Sequence, residues 1–461
     1  MVRHNRPESG RGDRRPIETA RDTVFNPALT GHAHWIEEEK SFHETCYLGN
    51  FSFLPNLRVT GPDAKEVFAD LAVNDFDDYE VGSTAKHVIL CNTDGKLVCD
   101  GIHMRRGDEE FTYATQGMPR GYEGGIPFPV NWVEYNIETG GYDATAEMAD
   151  EFTYQVQGPN ALDVMEAVTD DSIRDIGFMN YRQIDIAGHD VYALRHGMGG
   201  EPGLELHLPR AGGDEIWAAI AEAGEDHGLV ELPMQSLPLV LPLVTGLPQA
   251  GFDYIPAVFG DDMQGYREWL DADPFANVFA IEGSYDADDI SDYYRSPVEY
   301  GWTYIDFDHD FVGRDALRAE LDDPQRTLVT LEWNADDILD VMGSFFEPGP
   351  HYKFMEMPQK ASFTVRSDAV LKDGDLVGST TNRAYYYTAR TMLSLATVDI
   401  DLAEPGTELT VVWGESEEVD RHPIVEDHDR QKEIRATVVP TPYKQDNRAE
   451  GVEGERQAET Q

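Results

Sequence analysis

Hydrophobic positions in the first part of the chain fall into a short strand, a Gly-Pro turn and an amphipathic helix. Residues 35–48 have a helix-like pattern, residues 57–60 form a short strand-like run, and Gly61 and Pro62 end it. Residues 64–71 then carry apolar side chains at the spacing of one helix face. The pattern predicts a unit in which a strand and a helix pack together.

The same succession of strand, turn and helix returns in residues 154–165. Four residues of the first copy recur in register in the second: Val59, Gly61, Pro62 and Ala64 correspond to Val156, Gly158, Pro159 and Ala161. A single Gly-Pro pair is common, but three matched elements in register indicate an internal duplication. We therefore expect an α+β fold with two related subdomains, at residues 57–150 and 154–230.

Strand-like runs around short turns predict two β-hairpins. Residues 87–92 and 97–104 flank a turn that contains Asp94-Gly95, which is a strong hairpin signal. Residues 181–194 predict the second hairpin. The glycine-rich segment 196–203 lacks the Lys-Ser/Thr pair of a phosphate-binding loop, so we do not expect it to bind nucleotide phosphates.

The pattern changes after residue 325, where several short strands follow one another between turns. Such spacing is typical of a small barrel or sandwich, which we expect over residues 325–443. Residues 26–324 are expected to form the preceding domain. Residues 1–25 and 444–461 are polar, and both predict disordered tails.

The charge of the chain narrows the function classes. Its 461 residues include 87 acidic and 36 basic ones, a formal net charge of -51, with nine Lys against 27 Arg. Such a field repels nucleic acid and anionic membranes, so neither is expected as a partner. Dispersed carboxylates with little Lys are typical of proteins that work in concentrated salt, and we expect a salt-adapted, cytoplasmic protein.

Cysteine and histidine spacing argues against metal and disulfide sites. Cys46, Cys91 and Cys99 are too few and too unevenly placed, and the 14 His show no ligand spacing, so we predict no metal. No run approaches the ~18 consecutive apolar residues of a membrane-spanning helix. The basic N-terminus is followed by no apolar core of signal-peptide length.

Residues 281–317 combine many tyrosines and a tryptophan with many carboxylates. Ring faces and carboxylate acceptors together can hold a flat, polar heterocycle. An acidic, tyrosine-rich surface loop is the simpler interpretation, and both stay open from this stretch alone.

Several short sequence motifs, in their order along the chain, resemble those of a known family. They are residues 59–64, 92–100, 197–206, 310–317, and 377–381 leading to 394–396. In this order they resemble the aminomethyltransferase family, the folate-binding T-protein of glycine cleavage and its relatives, over about residues 30–443. Residues 266–270, 284–294 with Pro297, and 403–407 are similar to the branch of tetrahydrofolate-dependent O-demethylases that act on methoxylated aromatic acids such as vanillate.

The resemblance implies a fold, a cofactor and a partner. The family has two related α+β, ferredoxin-like subdomains and a C-terminal β-barrel around a central hole that takes the folate. Residues 26–324 would then be the folate-binding domain. Tetrahydrofolate is the expected cofactor and a small-molecule methyl donor the expected partner, while the oligomeric state is left open.

Three positions depart from the family pattern. Cys99 stands where the family has its catalytic aspartate, and Asp100, the next residue on a strand, faces the opposite side. Gln249 stands where a carboxylate holds the pterin, and a neutral amide is a weaker partner. Ser52 and Phe53 stand where the demethylases carry a His. We therefore expect the folate-binding shape to be kept more securely than the chemistry.

The catalytic candidates are two phenols and one carboxylate. Tyr285 is expected to protonate the leaving oxygen of the ether, with Tyr266 in reserve, because a nearby phenol can act as a general acid. Asp100 is expected to anchor a folate nitrogen. A packing role for either tyrosine and a solvent-facing Asp100 are the alternatives.

The remaining candidates would bind ligands through stacking, amide or ionic contacts. The residues expected to bind the folate are Gln249, Trp302, Glu205 and Asn131. The residues expected to bind an aromatic acid are Arg120, Trp132 and Phe53. A core position for Trp302 and a solvent-facing Glu205 are the alternatives.

Three functions follow from these observations. The leading hypothesis is a tetrahydrofolate-dependent O-demethylase that moves a methyl group from a methoxylated small molecule to tetrahydrofolate. A glycine-cleavage aminomethyltransferase is the second, and Cys99 argues against it. A folate-binding protein without transfer chemistry is the third.

Overall fold

The computed structural model arranges the chain in two large sheets, a closed barrel and a two-stranded ladder. It describes residues 33–115, 130–233, 237–270, 280–358, 364–416 and 425–450. The helices in chain order are α1 (Trp35–Glu44), α2 (Ala64–Leu71), α3 (Val130–Gly140), α4 (Ala161–Glu166), α5 (Gly213–Gly224), α6 (Leu237–Thr245), α7 (Gln264–Leu270), α8 (Arg314–Asp322) and α9 (Ala335–Gly343). The strands are β1 (Cys46–Asn50), β2 (Asn56–Thr60), β3 (Ala85–Cys91), β4 (Leu97–Gly107), β5 (Glu110–Thr115), β6 (Thr145–Met148), β7 (Glu151–Gln157), β8 (Tyr181–Ile186), β9 (His189–Leu194), β10 (Gly203–Pro209), β11 (Leu229–Glu231), β12 (Ala280–Glu282), β13 (Arg326–Trp333), β14 (Thr364–Arg366), β15 (Asp368–Lys372), β16 (Asp375–Tyr386), β17 (Thr391–Asp399), β18 (Glu408–Trp413) and β19 (Lys432–Val439).

The two large sheets have matching strand orders. The first sheet runs β3-β4-β5-β2-β6, and the second runs β8-β9-β10-β7-β1-β11. Because β1 pairs antiparallel with β7 as β6 does with β2, β11 is the additional strand. Gly61 after β2 has φ of 134° and Gly158 after β7 has φ of 131°, a region that favours glycine. A Cβ there would lie 2.4 Å from the Asp143 carbonyl oxygen at Gly61 and 2.6 Å from the Thr45 carbonyl oxygen at Gly158. This shared geometry supports the proposal of an internal duplication.

Each large sheet packs against the amphipathic helix that follows its Gly-Pro turn. In the first sheet, α2 buries Val67 and Phe68 against Phe111. In the second, α4 buries Leu162 and Met165. Full burial of such a side chain contributes about 1.5–3 kcal/mol, so the helical spacing seen in the sequence fixes how each helix lies on its sheet.

The C-terminal part forms a closed barrel with the strand order β13-β17-β16-β15-β18-β19, in which β19 pairs back to β13. Trp333 and Trp413 meet in its core at a ring-centroid distance of 6.0 Å. The prediction of an α+β fold with a C-terminal β-barrel is confirmed. The sequence pattern did not reveal β16 as a strand, because residues 378–383 are mostly polar yet largely buried.

The apolar helix α6 lies where the second sheet meets the barrel. Its residues Leu237, Val240 and Leu241 share a core with Tyr47 of β1 and Leu395 of β17. A helix that is apolar on all sides is buried on all sides. Among the described helices, none is long and apolar enough to cross a membrane.

Two expectations about the ends of segments are corrected. The helix expected for residues 35–48 ends at Glu44, because β1 pairs with β7 on one side and β11 on the other. The tail expected to be disordered from residue 444 is ordered over residues 444–450, where Lys444 forms an ion pair of 2.7 Å with Glu201. Residues 1–25 and 451–461 lie outside the described part of the chain.

Candidate functional site

A cavity of about 820 Å³ lies between the two large sheets and the segments that follow α6 and precede α8. The lining residues with polar or aromatic chemistry include Lys86, His87, Asp100, Phe178, His196, Glu205, Gln249, Trp302, Tyr304 and Arg448. Ligand sites in proteins measure about 300–1,000 Å³ and combine apolar walls with a few polar groups. The cavity is therefore the candidate site.

A chain of hydrogen bonds runs along one wall of the cavity. Tyr254 donates its hydroxyl to Asp100 Oδ1 at 2.5 Å, and His87 Nε2 lies 2.8 Å from Asp100 Oδ2. His87 Nδ1 contacts the hydroxyl of Tyr304. With a neutral imidazole, Nε2–H donates to Asp100 and Nδ1 accepts from Tyr304, a tautomer that this network assigns. This network thus connects a partly buried carboxylate to a phenol at the cavity surface.

The pairing of β3 with β4 brings these groups together. Asp100 lies opposite Ile89, and His87 is two residues from Ile89 on the same face. Cys99 faces the other side, where it is fully buried and accepts a long hydrogen bond of 3.6 Å from Tyr113.

This register shows which of the two residues a ligand in the cavity would meet. Asp100 and Cys99 do lie on opposite faces, but Asp100 faces the cavity. Burial raises the pKa of the Cys99 thiol well above its usual value. Cys99 is therefore an inert core residue, and Asp100 is the carboxylate that a ligand would meet.

Burial is the main cause of the shifted pKa values of Tyr254 and Tyr304, the two phenols of this hydrogen-bond network. The position of Tyr304 in the wall of a cavity, where it is partly buried, raises its pKa, and the charge of Asp100 raises that pKa further. The same two causes raise the pKa of Tyr254. Both phenols therefore keep their protons at neutral pH. Tyr304 is 45% exposed, and its place in the cavity lining leaves it open to a ligand.

Glu205 on β10 brings a second carboxylate to the cavity. Gln155 donates to Oε2 at 2.7 Å, and His207 Nε2 lies 3.0 Å from Oε1. Burial acts to raise the pKa of Glu205, but these hydrogen bonds and the electrostatic effect of the neighbouring imidazoles lower it to about 2. Glu205 is therefore ionised throughout the range in which the protein would work.

His196 supplies an unsatisfied polar atom. Its ring is 8% exposed and lines the cavity, and within the described residues its Nδ1 has no hydrogen-bond partner. Burial lowers the pKa of His196 to about 4, so the ring is neutral at neutral pH. A buried polar atom without a partner is what a polar ligand would satisfy.

Trp302 and Gln249 complete the set of predicted residues that line the cavity. Trp302 meets the ring of His87 edge-on at 4.9 Å. Gln249 lies just after α6, where its backbone N–H donates to Asp253 at 2.8 Å. The structure thus brings four predicted residues to one cavity: Asp100, Glu205, Gln249 and Trp302.

The other predicted residues lie elsewhere. Tyr285 packs edge-on against Tyr293 and donates its backbone N–H to the carbonyl of Ser367, just before β15. Tyr266 and Trp132 meet at 5.2 Å in the core of the first sheet. These positions favour packing roles for Tyr285, Tyr266 and Trp132.

The last three predicted residues also lie away from the cavity or are not described. Asn131 is fully buried on α3. Phe53 is 51% exposed and is not part of the cavity lining. Arg120 lies outside the described residues.

The sequence interpretation did not single out His87, Tyr304, His196 or Arg448. His87 could have been found, because the predicted hairpin makes it a diagonal neighbour of Asp100. Arg448 carries no such signal, since its segment has the composition of a disordered tail. Within the described residues, no cluster of three His, Cys, Asp or Glu is arranged to hold a metal ion.

Comparisons with known proteins match most of the chain. The model of the GCVT N-terminal domain matches residues 18–241. The chain is 31% identical over 433 residues to the syringate O-demethylase of Sphingobium sp., covering 91% of this chain and 90% of the relative. It is 32% identical over 417 residues to the sesamin methylene transferase of Sinomonas sp., covering 87% and 86%.

A solved structure has the same fold. The glycine cleavage system aminomethyltransferase T from Bartonella henselae superposes with a TM-score of 0.60 over 89% of this chain and 90% of that one. Its sequence identity is 16%, so the likeness concerns the fold alone.

Proposed function

This chain belongs to the aminomethyltransferase family, and we propose that it moves a methyl group from a methoxylated aromatic compound to tetrahydrofolate. Two relatives at 31% and 32% identity are named an O-demethylase and a methylene transferase, and both match over most of their length. The observation that carries the proposal is the hydrogen-bond network that runs from Asp100 through His87 to Tyr304 at the cavity surface.

The residues of the cavity fit a folate. Trp302 offers a ring for a flat heterocycle, Glu205 offers a permanently ionised acceptor for N–H groups, and His196 has an open nitrogen. Tetrahydrofolate, when bound, supplies the nitrogen nucleophile that accepts the carbon unit. Gln249 lies in the same lining, and its amide can both donate to and accept from a pterin.

The hydrogen-bond chain can deliver a proton to the leaving oxygen. When His87 is an imidazolium, its Nε2–H donates to Asp100 and its Nδ1–H donates to Tyr304. The hydroxyl hydrogen of Tyr304 is then free to point at the ether oxygen of a donor. As the C–O bond breaks, Tyr304 gives its proton to that oxygen and takes one from His87, and Asp100 stabilises the imidazolium beforehand.

The test compares two phenols in the transfer reaction. Protein, tetrahydrofolate and a panel of methoxybenzoates are incubated, and 5-methyltetrahydrofolate is measured. Tyr304→Phe is expected to lower the rate about 100-fold or more, because the acid is lost. Tyr285→Phe is expected to change it little, since Tyr285 does not line the cavity.

The outcomes separate the hypotheses. A large loss with Tyr285→Phe and none with Tyr304→Phe would return the acid role to Tyr285. Absence of methylated folate with every donor would contradict the transfer itself. Calorimetry that then detects folate binding would support a folate-binding protein without transfer chemistry.

A methylenedioxy aromatic compound is a second candidate donor. The identity of 32% to a sesamin methylene transferase favours including it. Cleavage of such a donor also leaves an oxygen that needs a proton, so Tyr304 would serve the same role. Detection of methylene-tetrahydrofolate instead of 5-methyltetrahydrofolate distinguishes the two donor classes.

A further inference from the structure

The C-terminal segment 444–450 lies at the edge of the cavity and is held there by the second sheet and its loops. Asn447 donates its backbone N–H to the Gly200 carbonyl at 2.8 Å. Arg195, which is 1% exposed, donates to the carbonyls of Arg448 at 3.1 Å and Glu450 at 2.5 Å. A buried arginine that binds two carbonyl groups of the segment fixes its path.

This path directs the side chain of Arg448 into the cavity lining. Its guanidinium lies 4.7 Å from the ring centroid of Phe178, which also lines the cavity. Nε and Nη2 bind Asp446 at 2.9 and 2.7 Å, whereas Nη1 has only a long contact of 3.4 Å with the Gly197 carbonyl. The guanidinium is therefore oriented from one edge and keeps donor capacity at the other.

Arg448 differs from the other cation of the lining. Lys86 donates to the backbone carbonyl of Asp75, and its ammonium lies 5.2 Å from the ring centroid of Tyr79. The carboxylates of Asp75, Asp78 and Asp306 surround it electrostatically. The carboxylates around Lys86 would repel an anion there. Arg448 pairs with one carboxylate, Asp446, through Nε and Nη2, and its Nη1 edge remains to meet an anion.

His196 and Arg448 both lie near the ring of Phe178. The rings of Phe178 and His196 are 6.4 Å apart, and the charge of Arg448 acts on His196. A neutral imidazole with a proton on the unpartnered Nδ1 adds a second donor to the one that the guanidinium offers. Guanidinium and carboxylate match in shape and charge, so a carboxylate is the anion that this pair fits best.

We propose that Arg448 and His196 form a carboxylate-binding subsite at the edge of the cavity, completed by the C-terminal segment. The subsite rests on the proposed function, because that function supplies two sources of carboxylate: the aromatic donor and the glutamyl end of the folate. Arg448 is on this basis a specificity-determining residue that favours acids over their neutral analogues.

Binding without turnover tests the subsite on the full chain. The probes are 3,4-dimethoxybenzoate against its methyl ester, and folic acid against its dimethyl ester, each measured by calorimetry in molar KCl. Wild type is expected to prefer the acid of at least one pair. Arg448→Ala is expected to weaken that acid about tenfold and to leave the ester unchanged, which removes the preference.

Matched variants separate charge from packing. Arg430 is exposed and stacks on Tyr352 at 4.0 Å away from the cavity, so Arg430→Ala controls for removal of a surface cation. Truncation after Glu450 keeps Arg448, and truncation after Tyr443 removes it. Only Arg448→Ala and the shorter chain are expected to lose the preference for the acid.

The pair that responds identifies the source of the carboxylate. Equal weakening of acid and ester by Arg448→Ala, or no preference in wild type for either pair, would overturn the subsite. A wild-type preference that Arg448→Ala removes supports it even if no donor gives methylated folate, a result that would contradict the proposed transfer alone.

Discussion

Asp100 and Glu205 face the same cavity from different sheets, and their hydrogen-bond partners give them different properties. Asp100 of the first sheet binds Tyr254 and His87, and that chain continues to the ligand-accessible Tyr304. Glu205 of the second sheet binds Gln155 and His207, and His207 continues to the buried Asn56. The first network reaches the cavity lining at Tyr304, and the second continues through Asn56 to Glu151, which does not line the cavity.

The difference shows how two carboxylates that line one cavity can take different roles. A carboxylate that reaches a phenol through an imidazole can support proton transfer. A carboxylate held by an amide and a fully buried imidazole is a fixed charge that orients a ligand. Asp100 is therefore expected to control the rate of transfer, and Glu205 the binding of the folate.

Neutralising each carboxylate in turn gives the largest expected effect. Asp100→Asn is expected to lower kcat by about 100-fold to 10,000-fold, because the imidazolium loses its stabilising charge. Glu205→Gln is expected to act mainly on KM for tetrahydrofolate. Steady-state rates of 5-methyltetrahydrofolate formation measure both.

Cys99→Ala is the matched control for the Asp100 variant. It changes the adjacent residue of the same strand, whose side chain points into the core. Activity per folded molecule is expected to stay near the wild-type value. Equal loss of kcat in Asp100→Asn and Glu205→Gln would contradict the separate roles of the two carboxylates in transfer and in folate binding.

Acid stability gives the next largest effect. The pKa of Glu205 falls from its usual 4.5 to about 2 in the fold, so its stabilisation is present above pH 4.5 and is lost as the pH falls towards 2. Glu205→Gln is expected to lower the unfolding free energy at pH 7 by up to about 3 kcal/mol and to flatten its pH dependence in that window. Guanidinium unfolding between pH 3 and 7 measures this.

The exposed Glu433→Gln is the control for this prediction. It removes one carboxylate of similar chemistry without a buried hydrogen-bond network. Its unfolding curve should follow the wild type at each pH. A pH dependence in Glu205→Gln equal to that of the wild type would contradict the fixed-charge role.

The fold could be predicted largely from local patterns. Gly61 and Gly158 mark turns whose backbone geometry needs glycine, and this requirement is visible in the sequence. The strand β16 was missed because Asn382 and Arg383 are polar but buried. Their burial depends on distant segments such as α6, whose Leu239 carbonyl accepts from Asn382, and a local pattern holds no such information.

The candidate site was predicted only in part. The family pattern pointed to Glu205, Gln249 and Trp302, which line the cavity. It could not separate Tyr285 from Tyr304, because both lie in one aromatic stretch and only the tertiary fold turns one of them to the cavity. The order of the segment around Arg448 comes from partners such as Arg195, about 250 residues earlier in the chain.

The smallest expected effect is that of salt on the buried Glu205, whereas the exposed carboxylates are expected to respond strongly. With a net charge of -51, exposed carboxylates repel one another over a Debye length of about 30 Å at 0.01 M salt and about 3 Å at 1 M. The melting temperature of the wild type is therefore expected to rise strongly between dilute buffer and molar KCl. Glu205 is 5% exposed, so the difference in unfolding free energy between wild type and Glu205→Gln should change by less than about 0.5 kcal/mol over the same range. A melt series of both proteins in KCl measures the two quantities together. A wild-type melting temperature that is flat or falls with salt would show that the acidic surface is not a salt adaptation.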